Sequence, residues 1–172
     1  MERGYADQQG KGQSMMENYL QVLEESLNKK ADVLRKISQV NEEQERLFKA
    51  DAFPEEAFDE TIDRKGRLID DLNKLDEGFE NLYEHIRLQL LDGKEKYAVQ
   101  IVALQKLIAK VTEMGASVQA QEARNKGLAD NYFLNRKKEL RQGRQNSRAA
   151  MDYYRNMNRS QVVQPQFMDK KK

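Results

Sequence analysis

Apolar positions recur along most of the chain at alternating steps of four and three residues. That spacing keeps one stripe on a helix and winds helices into a left-handed coiled coil. The first seam runs Met16, Leu20, Leu23, Leu27, Lys30, Leu34, Ile37, Asn41, Gln44 and Phe48. Phe53-Pro54 interrupts it, and Pro54 followed by Glu55 and Glu56 has the composition of a helix first turn. There a missing N–H costs nothing and negative charge meets the positive end of the helix dipole. The second seam passes Phe58, Ile62, Lys65, Ile69, Leu72, Asp76, Phe79, Tyr83, Ile86 and Leu90. It stops at Asp92-Gly93, where glycine is expected to take the left-handed conformation of a C-terminal cap. The third seam runs Tyr97, Ile101, Leu104, Ile108, Val111, Gly115 and Val118, then weakens through Glu122 and Asn125 to Ala129 and Tyr132.

Each helix also carries apolar residues one position before its seam: Tyr19, Val33, Val40 and Leu47 on the first, Leu68, Leu75 and Leu82 on the second, Leu107, Met114 and Leu128 on the third. A two-stranded coiled coil does not need this second stripe, so each helix is expected to touch two neighbours. The predicted fold is all-α: long, antiparallel, coiled-coil-like helices forming a three-helix bundle with a C-terminal helical extension.

The polar seam positions predict the register. If the first hairpin turns about Phe53, Lys30 faces Asp76 and Asn41 faces Lys65, while the aliphatic positions between them face one another. A slip of one heptad sets Lys30 against Ile69 or Tyr83 and strands a buried charge, at a cost of several kcal/mol. Turning the third helix about Gly93 brings Lys65 near Glu122 and Asp76 near Val111. Lys30, Asp76, Asn41, Lys65 and Glu122 are thus the expected structural seam.

Composition sharpens this picture. With 34% charged residues, two prolines and no tryptophan, the chain favours long helices over strands. Its 38% apolar content suits narrow seams better than a thick core. Cysteine is absent, which removes disulfide and thiolate chemistry. There is no N-terminal apolar stretch of the secretory kind and no run of membrane-spanning length, so cytoplasmic residence is the expectation. Charge is divided: residues 136–172 hold 11 Lys/Arg against 3 Asp/Glu, and residues 1–135 hold 19 against 26. An acidic body with a basic tail points to an interaction segment. The expected organisation is a disordered stretch at 1–14, the bundle at 15–125, a basic amphipathic helical extension at 126–160 and a flexible tail at 161–172.

No catalytic constellation emerges. His85 is the sole histidine and lies beside the second seam, so neither a catalytic pair nor a histidine metal site is available. The carboxylates Asp70, Asp71, Asp76, Glu77, Glu80 and Glu84 have the spacing of a solvated helix face, and no glycine-rich phosphate loop or calcium loop is present. The reading is a non-enzyme without metal, cofactor or small-molecule substrate.

The extension carries its apolar residues in clusters rather than a seam: Tyr132, Phe133 and Leu134, then Met151, Tyr153, Tyr154 and Met157, around Arg136, Lys137, Lys138, Arg141, Arg144 and Arg148. Phosphate neutralisation with base stacking would use these residue types. The acidic body opposes it and no recognition fold is visible, so nucleic acid is disfavoured. A membrane surface fits no better. Adaptable Tyr, Met and Arg side chains suit a protein partner, whereas the bland alternative is that the aromatics cap the end of the bundle.

The pattern Leu20–Ile37, Gln44, the segment Lys65–Leu75 (KGRLIDDLNKL) and the tail segments Asn131–Leu140 and Ala149–Met157 resemble the flagellar type III export chaperones of the FlgN type, over about residues 15–160. The resemblance implies a cytoplasmic, all-helical, non-catalytic protein. Such a protein binds the C-terminal segments of flagellar hook-associated proteins, prevents their premature assembly and delivers them to an export-gate component. It further implies substrate binding on the C-terminal helix, with Leu128, Tyr132, Phe133, Leu140, Met151, Tyr154 and Met157 as candidates. Docking at the gate falls to Tyr132, Tyr153 or Tyr154. The basic stretch Arg136–Arg148 departs from the family pattern. Alternatives are a coiled-coil structural or regulatory scaffold, or a chaperone of another flagellar substrate such as the filament cap; the chain could act as monomer or homodimer.

Overall fold

The computed structural model describes residues 3–139 and 154–156, with side chains from Met15 onward. Three long helices account for most of them: α1 (Arg3–Phe48), α2 (Glu55–Asp92) and α3 (Ala98–Glu139). They pack as an all-α bundle running up, down and up, so α2 is antiparallel to α1 and α3 is parallel to it.

Helix α1 begins at Arg3, so the stretch expected to be disordered is helical from there on. It contains no proline, and Gly4, Gly10 and Gly12 each cost only about 1 kcal/mol when a long helix is already nucleated beside them. At roughly 1.5 Å per residue, 46 residues span about 70 Å. Pro54 precedes α2, with Glu55 and Glu56 in the first turn, and its carbonyl accepts the N–H of Phe58 at 3.0 Å.

Gly93 departs from expectation. Its φ of −102° is not left-handed, and its N–H donates to the carbonyl of Gln89 at 3.1 Å. Glycine is required by space instead, because a Cβ there would meet the Tyr97 ring at 2.9 Å. Tyr97 is buried and donates its N–H back to the Gly93 carbonyl, which closes the corner between α2 and α3.

Each helix touches both others, as expected, but only α1 packs closely on two neighbours, and α2 and α3 meet through side chains such as Lys65 with Glu122 and Phe58 with Phe133. Among the described residues no Cα of α2 lies within 8 Å of a Cα of α3. The two outer helices lean on α1 and reach each other through long side chains.

Buried side chains fall into two groups. An aliphatic core runs from Met16, Leu20, Leu23 and Leu27 through Leu34 and Ile37 on α1, with Ile69, Leu72, Phe79 and Ile86 on α2 and Leu104, Val111 and Val118 on α3. An aromatic core closes the other end with Phe58, Ala129, Phe133 and Tyr154, flanked by Leu47, Phe48, Phe53, Ile62 and Tyr132. The stripe one position before each seam is buried at Val40 and half-buried at Tyr19, Val33, Leu47, Leu68, Leu75, Leu82, Leu107, Met114 and Leu128, where it seals the helix flanks.

The boundary expected between 125 and 126 is not one. Helix α3 passes through it unbroken to Glu139, and Asn125, Ala129 and Phe133 are all buried. The extra turns of α3 are held because they cover the α1–α2 hairpin, which would otherwise leave Phe58 bare. No helix of the described residues is long and apolar enough to cross a membrane.

Candidate protein-binding site

Between the two cores lies a polar layer built from all three helices. Lys65 is 2% exposed on α2. Its ammonium donates to Asn41 Oδ1 at 2.7 Å and to Gln44 Oε1 at 3.1 Å, and it pairs with Glu122 of α3. Gln44 Nε2 donates to Thr61 Oγ1 at 3.1 Å, and Thr61 donates in turn to the carbonyl of Phe58. Asn41 Nδ2 donates to Gln121 Oε1 at 3.2 Å, and Asn125 Nδ2 donates to the Asn41 carbonyl at 2.9 Å. Gln121 Nε2 donates to Ser38 Oγ at 2.9 Å.

These contacts define both registers. Lys30 forms an ion pair with Asp76, Lys65 meets Asn41, and Lys65 meets Glu122. The five residues singled out for the seam are thus brought together as two linked sets. Burial pulls the Lys65 ammonium below the usual lysine range even though Glu122 opposes it. Burial likewise lowers Lys30 and raises Asp76 against their mutual attraction. All three directions describe charges held in a poorly solvated interior for geometry rather than for net stabilisation.

The aromatic end is the candidate binding site. Phe48 stacks on Phe53 at 5.4 Å between ring centroids and meets the Phe58 ring edge-on at 4.9 Å. Tyr132 lies 4.3 Å from Phe53 and 5.3 Å from Phe133, which makes α3 part of the same cluster. Arg136 donates to the Tyr132 hydroxyl at 2.6 Å and pairs with Glu55, fastening α3 to the start of α2. This basic residue, expected to face a partner, is therefore used within the chain.

Of the candidate contact residues, Leu128 and Tyr132 are half-buried, and Phe133 and Tyr154 are buried in the aromatic core. Leu140, Met151, Tyr153 and Met157 lie outside the described residues. Phe58 was not singled out as a site residue, because in sequence it is one more seam position. Its role follows from the convergence of α3 and Tyr154 on it.

A second surface lies at the far corner. Six of the seven large hydrophobics that are exposed among the described residues (Met15, Val22, Leu88, Leu91, Val99 and Val102) sit at the end where α2 turns into α3. Valines 99 and 102 and Leu88 and Leu91 each form an i,i+3 pair on its helix. His85 is exposed there and meets the ring of Tyr19 edge-on at 5.8 Å, a packing contact. No group of three or more His, Cys, Asp or Glu able to hold a metal occurs among the described residues. Compared with known proteins, the chain matches no family model, no curated protein and no solved structure.

Proposed function

We propose that the protein is an export chaperone of the flagellar type III system, FlgN-like, acting in the cytoplasm on the C-terminal segments of hook-associated proteins. The observation that supports this reading most is the aromatic end of the bundle. Its apolar rings line a place that already receives an aromatic side chain from a separate helical turn, Tyr154. A place of that kind suits helix-in-groove recognition of a segment that is disordered until bound. The tail residues Leu140, Met151, Tyr153 and Met157 complete the proposed contact set, and an export-gate component is the second proposed partner.

Co-purification of the full chain with hook-associated C-terminal segments from its source organism tests the proposal. Capture at a 1:1 ratio supports it. Absence of capture, together with concentration-dependent self-association on a sizing column, would favour the scaffold reading. The exposed apolar corner at Leu88, Leu91, Val99 and Val102 favours that second reading. Truncation after Asn125 is not a clean control, since it removes Ala129 and Phe133 from the core. Truncation after Glu139 keeps α3 whole.

A further inference from the structure

The outer side of α3 repeats the seam pattern on a face that α1 and α2 leave uncovered. From Val99, steps of three and four residues lead through Val102, Ala109, Ala116 and Ala123 to Leu134, on the far side of the helix from its buried seam. Every position on that path is exposed. Val99, at 81%, is the most exposed of the large hydrophobics among the described residues, and Leu134 is the one that lies away from the α2–α3 corner. A surface helix ordinarily turns charge outward. Helices α1 and α2 do so, with Glu24, Glu25 and Asp32 on the first and Asp63, Asp70 and Glu77 on the second. The outer path of α3 has only Lys106, Glu113 and Asp130. Among the described residues α1 is the only helix that comes close to α3, so this second seam faces no helix of its own chain.

We propose that this face is the interface of a homodimer, in which α3 of one copy lies antiparallel along α3 of a second. The three charges decide orientation and register. Parallel helices in register would bring each charge against its own like. Antiparallel helices, related by a two-fold axis level with Val118, bring together positions equally far before and after it. Lys106 then faces Asp130 of the second copy, Val102 faces Leu134, and Ala116 faces Ala120. Because the contact is two-fold, each of these pairs occurs twice. Small side chains meet at the centre, and larger apolar ones meet toward both ends. Gly127 falls opposite Ala109, and a Cβ added there would meet nothing of its own chain, so space is open for the second helix. A slip of one heptad sets Asp130 against Val99 in one direction and against Glu113 in the other, which strands the charge or opposes it with its like. The same criterion fixes α1 against α2 through Lys30 and Asp76.

Sedimentation of the full chain across a dilution series reads the association with no other protein present, and a dimer is expected. Ala116→Glu sets like charges beside the axis and is expected to raise the dimer dissociation constant at least about tenfold. Circular dichroism should be unchanged, because Ala116 is exposed. Lys106→Asp is expected to weaken the dimer several-fold, and Lys106→Asp with Asp130→Lys to restore it, as a facing pair requires. If Ala116→Glu loses helicity, this charge swap decides alone. The chain has no cysteine, so Val102→Cys and Leu134→Cys proteins, when mixed, are expected to cross-link chiefly to each other, as the antiparallel register requires. A monomer at every dilution overturns the proposal and leaves the face to a helix of another protein. A dimer that Leu88→Glu disperses and Ala116→Glu does not overturns it in favour of the α2–α3 corner. A charge swap that fails to restore association overturns it as well. No outcome depends on capture of hook-associated segments, so failure here and failure of the proposed function are told apart.

Discussion

The two ends of the bundle are built from different materials. Toward the α2–α3 corner the core is mostly leucine, isoleucine and valine on seam positions, with Phe79 and Tyr97 among them, and its large exposed hydrophobics lie on the outer surface. Toward the α1–α2 hairpin the core is aromatic and receives contributions from a turn, from the last stretch of α3 and from Tyr154. The Lys65 layer divides them. Aliphatic seams are nearly indifferent to a slip of one heptad, because one leucine packs much like another. A buried lysine that must find Asn41, Gln44 and Glu122 is not indifferent. The polar layer, together with the Lys30–Asp76 pair inside the aliphatic end, supplies the register that aliphatic side chains alone would not fix, and the aromatic end can then be assembled from distant pieces.

Substitutions at the two ends are expected to differ in the size of their effect. The largest expected loss is at the aromatic end. Phe58→Ala should destabilise by about 4 kcal/mol in chemical denaturation, since it empties a fully enclosed ring site. A seam position in the aliphatic core with a smaller side chain, Val111→Ala, should cost about half of that. Comparable losses at the two positions would show that the two ends are not different in kind.

Lys65→Leu comes next, at about 3 kcal/mol, because it leaves Glu122 facing an apolar side chain and removes a donor from Asn41 and Gln44. A loss well below 1 kcal/mol would mean that the layer does not hold the register. The Lys30–Asp76 pair offers a cleaner version of the same question. Lys30→Leu alone should cost about 2 kcal/mol, whereas Lys30→Leu with Asp76→Leu should recover most of it, as expected for an ion pair replaced by apolar residues. Equal losses for the single and double variants would remove the argument from register.

The smallest effect is one of pH. Burial first, then the charges of Glu122 and Asp130, raise the Tyr154 hydroxyl above the ordinary tyrosine value. A group whose docked pKa is raised contributes stability that is whole below its free value, about 10. That contribution fades as pH rises from there toward the docked pKa. Docking of Tyr154 should therefore weaken in alkaline solution. In an ultraviolet titration of tyrosinate, the unsubstituted chain should show one late-ionising tyrosine that Tyr154→Phe lacks. If the amplitude lost on that substitution lies in the ordinary tyrosine range, near about 10, Tyr154 is in solvent and the contrast between the two ends weakens.

Much of the bundle was legible because its determinants are local and periodic. Steps of four and three residues place Leu20, Leu23 and Leu27 on one stripe whatever the rest of the chain does. Pro54 and the carboxylates after it mark a helix start by their own backbone and dipole chemistry. The pairings Lys30–Asp76, Asn41–Lys65 and Lys65–Glu122 could also be read, since two short connections leave few registers and a buried charge rejects most of them. The candidate site was legible only in part. Tyr132, Phe133 and Tyr154 stood out as aromatics without a seam, but nothing in their spacing says that Phe133 turns inward or that Tyr154 returns to Phe58.

By itself, then, the sequence determined the helices, their order and the register of their polar layer, all consequences of side-chain period and of where charge is tolerated. Tertiary structure alone decided how far α3 continues past Asn125, why Gly93 is glycine and which aromatics close the hairpin end. Each of those depends on atoms brought together from parts of the chain far apart: the Tyr97 ring against Gly93, α3 over the α1–α2 turn, Tyr154 against Phe58. A one-dimensional pattern records what each helix buries, and it carries no record of what arrives from elsewhere to cover it.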